Sequence, residues 1–314
     1  MRRQVKREGV ARELLPGQSP ALLQELHLLT RDGDLNADAL RKLKQVNHLV
    51  RLLAPAVEDA LGRFGDPVLV DCGAGKGYLG FVLYELFVGP AGKGTLWGVE
   101  SRAELARAAE ERARRLGYGR MRFLAARVEE APVPGRVHLV TALHACDTAT
   151  DDALALAVRH QADHVAVVPC CQAEVARQLE AAGRGARPAA GPGGPPAPAV
   201  PPPGPPPRGA ATPPAPAPPA AEVLAELHRH PWHRREFGSH LTNVVRALAL
   251  EACGYAVTVT ELAGWEHSLK NELILGRKVR RGSEAARARL EALLAASGVR
   301  PKLVRALWGE APSG

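Results

Sequence analysis

From residue 67 to residue 181 the chain alternates short apolar runs with longer segments in which apolar residues recur every three or four positions. Short apolar runs predict buried strands, and the longer periodic segments predict amphipathic helices. The predicted strands cover residues 67–71, 95–100, 121–126, 137–142 and 164–168. Repeated strand and helix units of this kind are typical of an α/β fold built on a mostly parallel sheet.

Segments on both sides of this core continue the pattern. Residues 36–61 predict an N-terminal helix that Asn36 caps, with Pro55 at its end or at a kink. After the core, helices are predicted at 222–228 and 239–252, strands at 256–262 and 271–277, and two short helices in the tail from 283 to 308. The closing pair of strands brings the predicted sheet to seven strands.

Residues 182–220 are almost entirely Pro, Ala and Gly, and they contain no aromatic side chain. Such a segment cannot bury enough apolar surface to offset its ordering entropy, so we predict a disordered insertion. The chain then divides into a basic helical N-terminal extension, the first part of a ligand-binding domain, the insertion, the rest of that domain and a helical C-terminal tail. Their bounds are 1–61, 62–181, 182–220, 221–280 and 281–314.

The charge and cysteine content narrow the functional classes. The 41 Lys and Arg residues against 33 Asp and Glu residues give a net charge of +8, which is compatible with nucleic acid binding. Arginine, alanine, glycine and proline are also enriched in proteins from GC-rich genomes, so the excess of arginine can arise without a nucleic acid partner. Five cysteines do not form a secreted disulfide framework, and no apolar run is long enough to span a bilayer. We therefore expect a cytoplasmic protein with reduced thiols and no membrane partner, and the oligomeric state is left open.

The first predicted strand ends at an acid and runs into a glycine-rich loop. Asp71 is followed by Gly73, Gly75 and Gly77, each separated from the next by one residue. Glycine allows both positive φ angles and close approach of the backbone to a ligand. This pattern predicts a strand that turns sharply into a helix around a small ligand, although a turn with no ligand would leave a similar sequence.

Two other nucleotide-binding loops share part of this pattern. A P-loop needs Ser or Thr after its lysine, but Gly77 follows Lys76. The dinucleotide fingerprint is met by Gly75, Gly77 and Gly80, but Asp71 would face and repel the pyrophosphate. A ligand with a cationic amino-acid end suits an acid at this place, and S-adenosylmethionine carries such an end.

Other strand ends are expected to border the same ligand. Glu100 ends the second strand, where an acid can accept hydrogen bonds from two ribose hydroxyls. The alternative for Glu100 is an acid that stabilises the N-terminus of the following helix. Ala126 and Ala142, at the ends of the third and fourth strands, complete the predicted cofactor site with Asp71 and the three glycines.

Candidate catalytic groups follow the fourth and fifth strands. His144 or Asp147 could take a proton from the acceptor as a general base. Cys146 with Cys170 or Cys171 could instead supply a thiolate that attacks a pyrimidine, as in RNA cytosine-5 methyltransferases. Zinc is a third reading, but paired Cys-x-x-Cys spacing is missing, so no metal site is predicted. Simple packing of the cysteines and helix capping by Asp147 are the structural alternatives.

Four stretches resemble the successive motifs of one methyltransferase-domain family. They are DCGAGKGYL at 71–79, HACDTATD at 144–151, VPCCQ at 168–172 and EHSLKN at 266–271. The family groups uncharacterised bacterial methyltransferases with eukaryotic methyltransferase-like proteins, and it is similar to the tRNA 2′-O-methyltransferase that modifies position 4. The resemblance covers residues 36–280 and implies a Rossmann-like class I methyltransferase that uses S-adenosylmethionine. It also implies that the last of the seven strands is antiparallel, because the final two strands are similar to the closing strands of methyltransferase sheets.

These observations lead to an expected function. We expect an S-adenosylmethionine-dependent methyltransferase that acts on structured RNA, either tRNA or rRNA. His144, Asp147, Cys170 and Cys171 are the expected catalytic residues, and substrate is expected to contact Arg235, Lys270 and Asn271. The alternatives are an RNA-binding or assembly factor that keeps the fold without turnover, and a methyltransferase whose acceptor is a protein or a small molecule.

Overall fold

The computed structural model describes residues 5–143, 148–169, 172–185, 226–262 and 272–309, with the side chains of 182–185 left aside. Seven strands form one sheet. They are β1 (Val68–Cys72), β2 (Thr95–Glu100), β3 (Met121–Ala125), β4 (Leu139–Leu143), β5 (His164–Val168), β6 (Tyr255–Glu261) and β7 (Glu272–Lys278). All seven strands predicted from the sequence are present, with bounds that differ by at most two residues.

The strand order is β3-β2-β1-β4-β5-β7-β6. Strands β1 to β5 pair in parallel, whereas β7 is antiparallel to both β5 and β6. This arrangement confirms the predicted Rossmann-like class I methyltransferase architecture. The order reverses at β1, where β2 continues to one side and β4 to the other. Ligands of such sheets bind beyond the carboxyl ends of the strands at this reversal.

Eleven α-helices lie within the described residues. They are α1 (Arg7–Val10), α2 (Pro20–Glu25), α3 (Ala37–Arg63), α4 (Tyr78–Leu83), α5 (Gly89–Ala91), α6 (Ala103–Arg115), α7 (Ala149–Arg159), α8 (Glu174–Gly185), α9 (Pro231–Ala252), α10 (Glu284–Ser297) and α11 (Lys302–Trp308). A π-helical turn, Tyr84–Val88, joins α4 to α5. The two helices predicted in the C-terminal tail are confirmed as α10 and α11.

The buried side chains form one apolar cluster on each face of the sheet. Neighbouring residues of a strand point to opposite faces, and Leu69 and Val70 of β1 accordingly belong to different clusters. The N-terminal extension, α3 and α4 contribute to the cluster around Leu69. Helices α7, α9, α10 and α11 contribute to the cluster around Val70. Both terminal extensions therefore pack onto the domain.

Helix α3 confirms its predicted cap but not its predicted end. The Asn36 side chain accepts a hydrogen bond from the Ala39 backbone N–H at 2.8 Å. Pro55 lies inside the helix, which continues to Arg63. A proline interrupts one backbone hydrogen bond. The helix persists across it because α3 buries an apolar face on both sides of Pro55, including Leu53 and Val57.

Helix α9 begins at Pro231, eight residues before the predicted start. Proline is favoured in the first turn of a helix because its missing N–H needs no partner there. The basic segment 230–235 therefore contributes the first turn of α9. Helix α8 was not predicted, and its residues 182–185 were expected to belong to the disordered insertion. The rest of that insertion, 186–220, and residues 222–225 of a predicted helix lie outside the described residues.

Two expectations from composition concern cysteines and membranes. Cys72 and Cys253 carry free thiols, and the other three cysteines lie outside the described residues. Among the helices that the structure describes, none combines the length and the apolar character needed to cross a membrane.

Candidate active site

The loop after β1 has the backbone conformation that its glycines predict. Gly73, Gly75 and Gly77 have φ angles of 67°, 59° and 79°, all in the left-handed region that other residues rarely adopt. The Gly77 N–H donates to the Ala74 carbonyl at 2.7 Å, and the Ala74 N–H donates to the Val99 carbonyl at 3.0 Å. These bonds close the turn and tie it to β2.

The space around the loop differs between its glycines. A Cβ atom on Gly77 would lie 2.9 Å from two ring carbons of Phe81, so this position has no room for a side chain. A Cβ atom on Gly75 would meet only the Gly73 carbonyl oxygen, at 3.9 Å. Gly77 is thus required for packing, whereas Gly75 leaves the backbone open to a ligand.

Asp71 lies at the base of the loop, with only 4% of its surface exposed. Its carboxylate accepts a hydrogen bond from the Thr141 hydroxyl at 3.0 Å and another from the Gly80 backbone N–H. Burial raises the pKa of Asp71 to about 7, against the opposing effect of these two hydrogen bonds. Near neutral pH both the protonated and the charged form of Asp71 are therefore populated.

This raised pKa predicts that Asp71 destabilises the ligand-free protein as the pH rises. The unfolded carboxyl loses its proton near pH 4, but the folded one keeps it to about pH 7. Asp71's contribution to the free energy of unfolding is therefore fully present below pH 4 and is lost as the pH rises to 7, with a slope of at most ~1.4 kcal/mol per pH unit. Urea unfolding of the wild type and Asp71→Asn between pH 5 and 8 measures this contribution as their difference. A difference independent of pH would contradict the assignment.

Glu100 is 4% exposed and is held by the loop and by the residue that caps α6. Its Oε2 atom accepts from the Gly75 N–H at 2.8 Å, and its Oε1 atom accepts from the backbone N–H and Nε of Arg102 at 3.0 and 2.9 Å. Burial acts to raise the pKa of Glu100, but hydrogen bonds from Arg102 and Gly75 outweigh it and leave the pKa below its ordinary value. The side chain is a carboxylate at neutral pH.

The carboxylate of Glu100 can accept ribose hydroxyls only if the Arg102 guanidinium, which donates to both of its oxygens, moves away. The Arg102 side chain is 61% exposed, so this exchange does not require the core to move. The bond between Glu100 and Gly75 also shows that the two predicted cofactor residues act as one unit. The alternative role, support for the start of α6, is realised at the same time through the backbone of Arg102.

The other predicted site residues fall into three groups. Ala126 lies beside Glu100, because its N–H donates to the Glu100 carbonyl at 3.2 Å. Ala142 is 2% exposed and packs in the core, so the structure does not bring it to an open surface. Arg235 is exposed in the first turns of α9, with its Nε 3.5 Å from an oxygen of Glu236. The remaining candidates lie outside the described residues: His144, Cys146, Asp147, Cys170, Cys171, Lys270 and Asn271.

A polar cavity of about 210 Å³ lies at the same edge of the sheet, next to Pro169 at the end of β5. This cavity was not predicted from the sequence, because the residues that line it are far apart along the chain. They are Gln172, Glu236, Ser239, His240, Asn243 and Glu272. One signal was available, since polar residues at 239, 243 and 246 recur at helical spacing on an otherwise apolar face of α9.

A family model described as a methyltransferase domain matches residues 41–178, a little under half of the chain. These residues are therefore similar to a methyltransferase domain, which agrees with the prediction. S-adenosylmethionine, the cofactor predicted from Asp71, the glycines and Glu100, is the methyl donor expected of a domain of this class. The match ends before α9 and β7, so it covers neither of the walls that these two elements give the polar cavity.

Relatives and solved structures are similar to parts of the chain. A glutathione S-transferase C-terminal domain-containing protein from Homo sapiens is 30% identical over 142 residues, which are 45% of this chain and 20% of that protein. The chain thus spans about a fifth of the length of this relative. An rRNA methylase from Streptococcus thermophilus has a TM-score of 0.42 at 8% identity, covering 74% of this chain and 96% of its own. Magnesium protoporphyrin IX methyltransferase from Synechocystis PCC 6803 has a TM-score of 0.42 at 11% identity, with 82% and 94% covered.

Proposed function

We propose that this protein is an S-adenosylmethionine-dependent methyltransferase whose acceptor is structured RNA, either tRNA or rRNA. The observation that carries the cofactor assignment is the unit formed by Glu100 and Gly75 above the buried Asp71. One acidic group, Asp71, lies at the start of the glycine loop, and the other, Glu100, lies beside its middle glycine. This arrangement suits a ligand with an ammonium group and a ribose. It does not suit a ligand that presents a pyrophosphate there.

Each residue of this unit has a distinct role in the proposal. The charged form of Asp71 attracts the amino-acid end of the ligand, either directly or through water. Glu100 accepts the ribose hydroxyls, and Gly75 lets the backbone approach the ligand. When bound, S-adenosylmethionine supplies an activated methyl group for in-line transfer, and holding donor and acceptor together provides much of the rate.

The chain's own chemistry beyond the cofactor is the removal of a proton from the acceptor. We assign that role to His144 or Asp147, which follow β4 in the sequence. Cys170 and Cys171 follow β5, the neighbouring strand, and in the proposal they shape the acceptor pocket. A thiolate route through these cysteines is the alternative mechanism for the same reaction.

RNA as the acceptor is supported by the distribution of exposed cations. Lys42 and Arg51 are exposed on α3, and Arg107 and Arg114 are exposed on α6. Lys42 also lines a small cavity together with Tyr78, the residue that follows the glycine loop. Exposed cations can neutralise the phosphates of an RNA backbone and release counterions. The net charge of +8 agrees with this role.

Methyl transfer to RNA is tested with the purified chain and S-adenosylmethionine carrying a labelled methyl group. The acceptor is bulk tRNA or rRNA from a strain of the source organism that lacks the gene. We expect label in that RNA and far less in RNA from the parent strain, whose sites are already modified. Mass spectrometry of the digested RNA then identifies the modified nucleoside.

Two outcomes of this experiment would contradict the proposal. Label no higher than with heat-inactivated protein would remove RNA as the acceptor and favour a protein or small-molecule acceptor if S-adenosylmethionine still binds. Absence of S-adenosylmethionine binding would instead favour a non-catalytic RNA-binding or assembly factor.

A further inference from the structure

One face of α9 carries three polar residues that hold three separate segments of the chain. Ser239, Asn243 and Arg246 are spaced by four and three residues, so they share a helix face. The Ser239 hydroxyl donates to Gln172 Oε1 at 2.5 Å, and Arg246 Nε donates to Asp151 Oδ1 at 2.7 Å. Asn243 lies between these two bonds and makes contacts of its own.

The direction of the hydrogen bonds around Asn243 is determined by chemistry. Arg246 Nη1 lies 3.2 Å from Asn243 Oδ1, and a guanidinium can only donate, so this oxygen is the acceptor. The same oxygen accepts from Gln172 Nε2 at 3.3 Å. Asn243 Nδ2 therefore faces the carboxylate of Glu272 and donates to its Oε2 at 2.7 Å. The Asn243 amide therefore links the two residues, because its oxygen accepts from Arg246 and its nitrogen donates to Glu272.

A buried polar network of this kind stabilises the packing of a helix less than apolar side chains would. Arg246 and Asp151 are 1% and 2% exposed, and burial raises the pKa of Asp151 in spite of its charged partner. A buried ion pair adds little stability compared with apolar residues of the same size, so its use indicates a need for defined geometry. The three residues that bond to this face of α9 lie at the end of a sequence motif or directly after one. Asp151 ends HACDTATD, Gln172 ends VPCCQ, and Glu272 follows EHSLKN.

The cavity of about 210 Å³ opens between these segments. Glu272 and Glu236 provide carboxylates, and Gln172, Ser239 and Asn243 provide further polar atoms. Neither Lys nor Arg occurs among the described residues that line it. Two carboxylates would repel a phosphate, but they suit a group that donates hydrogen bonds. The cations exposed on α3 and α6 lie elsewhere, on the outer surfaces of other helices.

We infer that this cavity binds the hydrogen-bond-donating edge of the acceptor nucleoside, its amino, imino or hydroxyl groups, while the phosphates stay outside. Glu272 accepts from the nucleoside through the oxygen that Asn243 does not use. Asn243 is a positioning residue, because it acts through Glu272. This inference rests on the proposed function, since it names the part of the RNA that reaches the site.

The substitution Glu272→Gln tests the pocket with little change in shape. Its amide oxygen can still accept from Asn243, and its NH2 group then faces the ligand and opposes the donors there. We expect kcat/KM for bulk tRNA from the deletion strain to fall at least about tenfold, mainly through KM, because a polar site that is mispaired discriminates strongly. Binding of S-adenosylmethionine should stay within about twofold of the wild type. Glu284→Gln, an exposed acid in the first turn of α10 that does not line the cavity, is the matched control.

The outcomes separate this inference from the proposed function. A wild type that does not transfer methyl groups to RNA overturns the proposed function and the inference with it. A wild type that does transfer them, with Glu272→Gln equal to Glu284→Gln in kcat/KM, overturns the inference alone. Loss of S-adenosylmethionine binding in folded Glu272→Gln, monitored by its circular dichroism, also overturns it, because Glu272 would then belong to the cofactor site.

Discussion

Replacing Glu100 with alanine is expected to weaken S-adenosylmethionine binding by at least about a hundredfold. The carboxylate is buried, and it accepts hydrogen bonds from Gly75 in the loop and from Arg102. Its loss removes the acceptor for the ribose hydroxyls and also frees the loop, and hydrogen bonds to a charged group contribute about 1.5–3 kcal/mol each. Isothermal titration calorimetry of the wild type and Glu100→Ala measures the difference.

Glu111→Ala provides the matched control, because the Glu111 side chain is exposed on α6 and forms an ion pair with Arg115 on the same helix. Its affinity for S-adenosylmethionine should equal that of the wild type. Circular dichroism and a thermal melt establish whether Glu100→Ala is folded at the titration temperature. A folded Glu100→Ala that binds S-adenosylmethionine as tightly as the control would contradict the role assigned to Glu100.

The second large effect is expected for Gly77→Ala, which should lower the free energy of unfolding by about 2–5 kcal/mol. A φ angle of 79° strains any residue with a Cβ atom, and that atom would lie 2.9 Å from the Phe81 ring and 3.2 Å from the Phe123 ring. The clash forces both rings, which stack on one another, to move. Urea unfolding monitored by circular dichroism measures the loss.

Gly92→Ala separates backbone strain from this clash. Gly92 has a φ angle of 61°, but no heavy atom lies within 4 Å of the position that its Cβ would occupy. Its substitution should cost only the strain of the left-handed conformation, about 1–2 kcal/mol. Equal losses of stability for Gly77→Ala and Gly92→Ala would show that the Phe81 contact does not determine the requirement for glycine.

The sheet could be predicted from sequence because its signals are local. Each strand has an apolar run of its own, and the loop glycines mark the turn after β1, so the strand positions followed from the pattern. The antiparallel direction of β7 followed instead from the resemblance to methyltransferase sheets. The ends of α3 and α9 could not be predicted in this way. Packing on the sheet carries α3 past Pro55, and Pro231 starts a helix where the basic residues had suggested a separate segment.

The positions of Asp71 and Glu100 at strand ends could be predicted, but their environment could not. Their partners Thr141, Gly80 and Arg102 depend on how the strands pair and how the loop folds, and no local pattern reveals them. The α9 network is a stronger case, because Asp151, Gln172, Asn243 and Glu272 meet only after the sheet is complete. The predicted catalytic residues His144, Asp147, Cys170 and Cys171 stay predictions.

Calorimetric titration of the full chain with S-adenosylmethionine tests the central claim most directly, with NAD as the comparison ligand. We predict saturable one-to-one binding of S-adenosylmethionine and no binding of NAD, because Asp71 suits an ammonium group and would repel the pyrophosphate of NAD. We also predict an affinity that increases with pH through about 7, as Asp71 takes its charged form. Binding of NAD, or no binding of S-adenosylmethionine at millimolar concentration, would contradict the account.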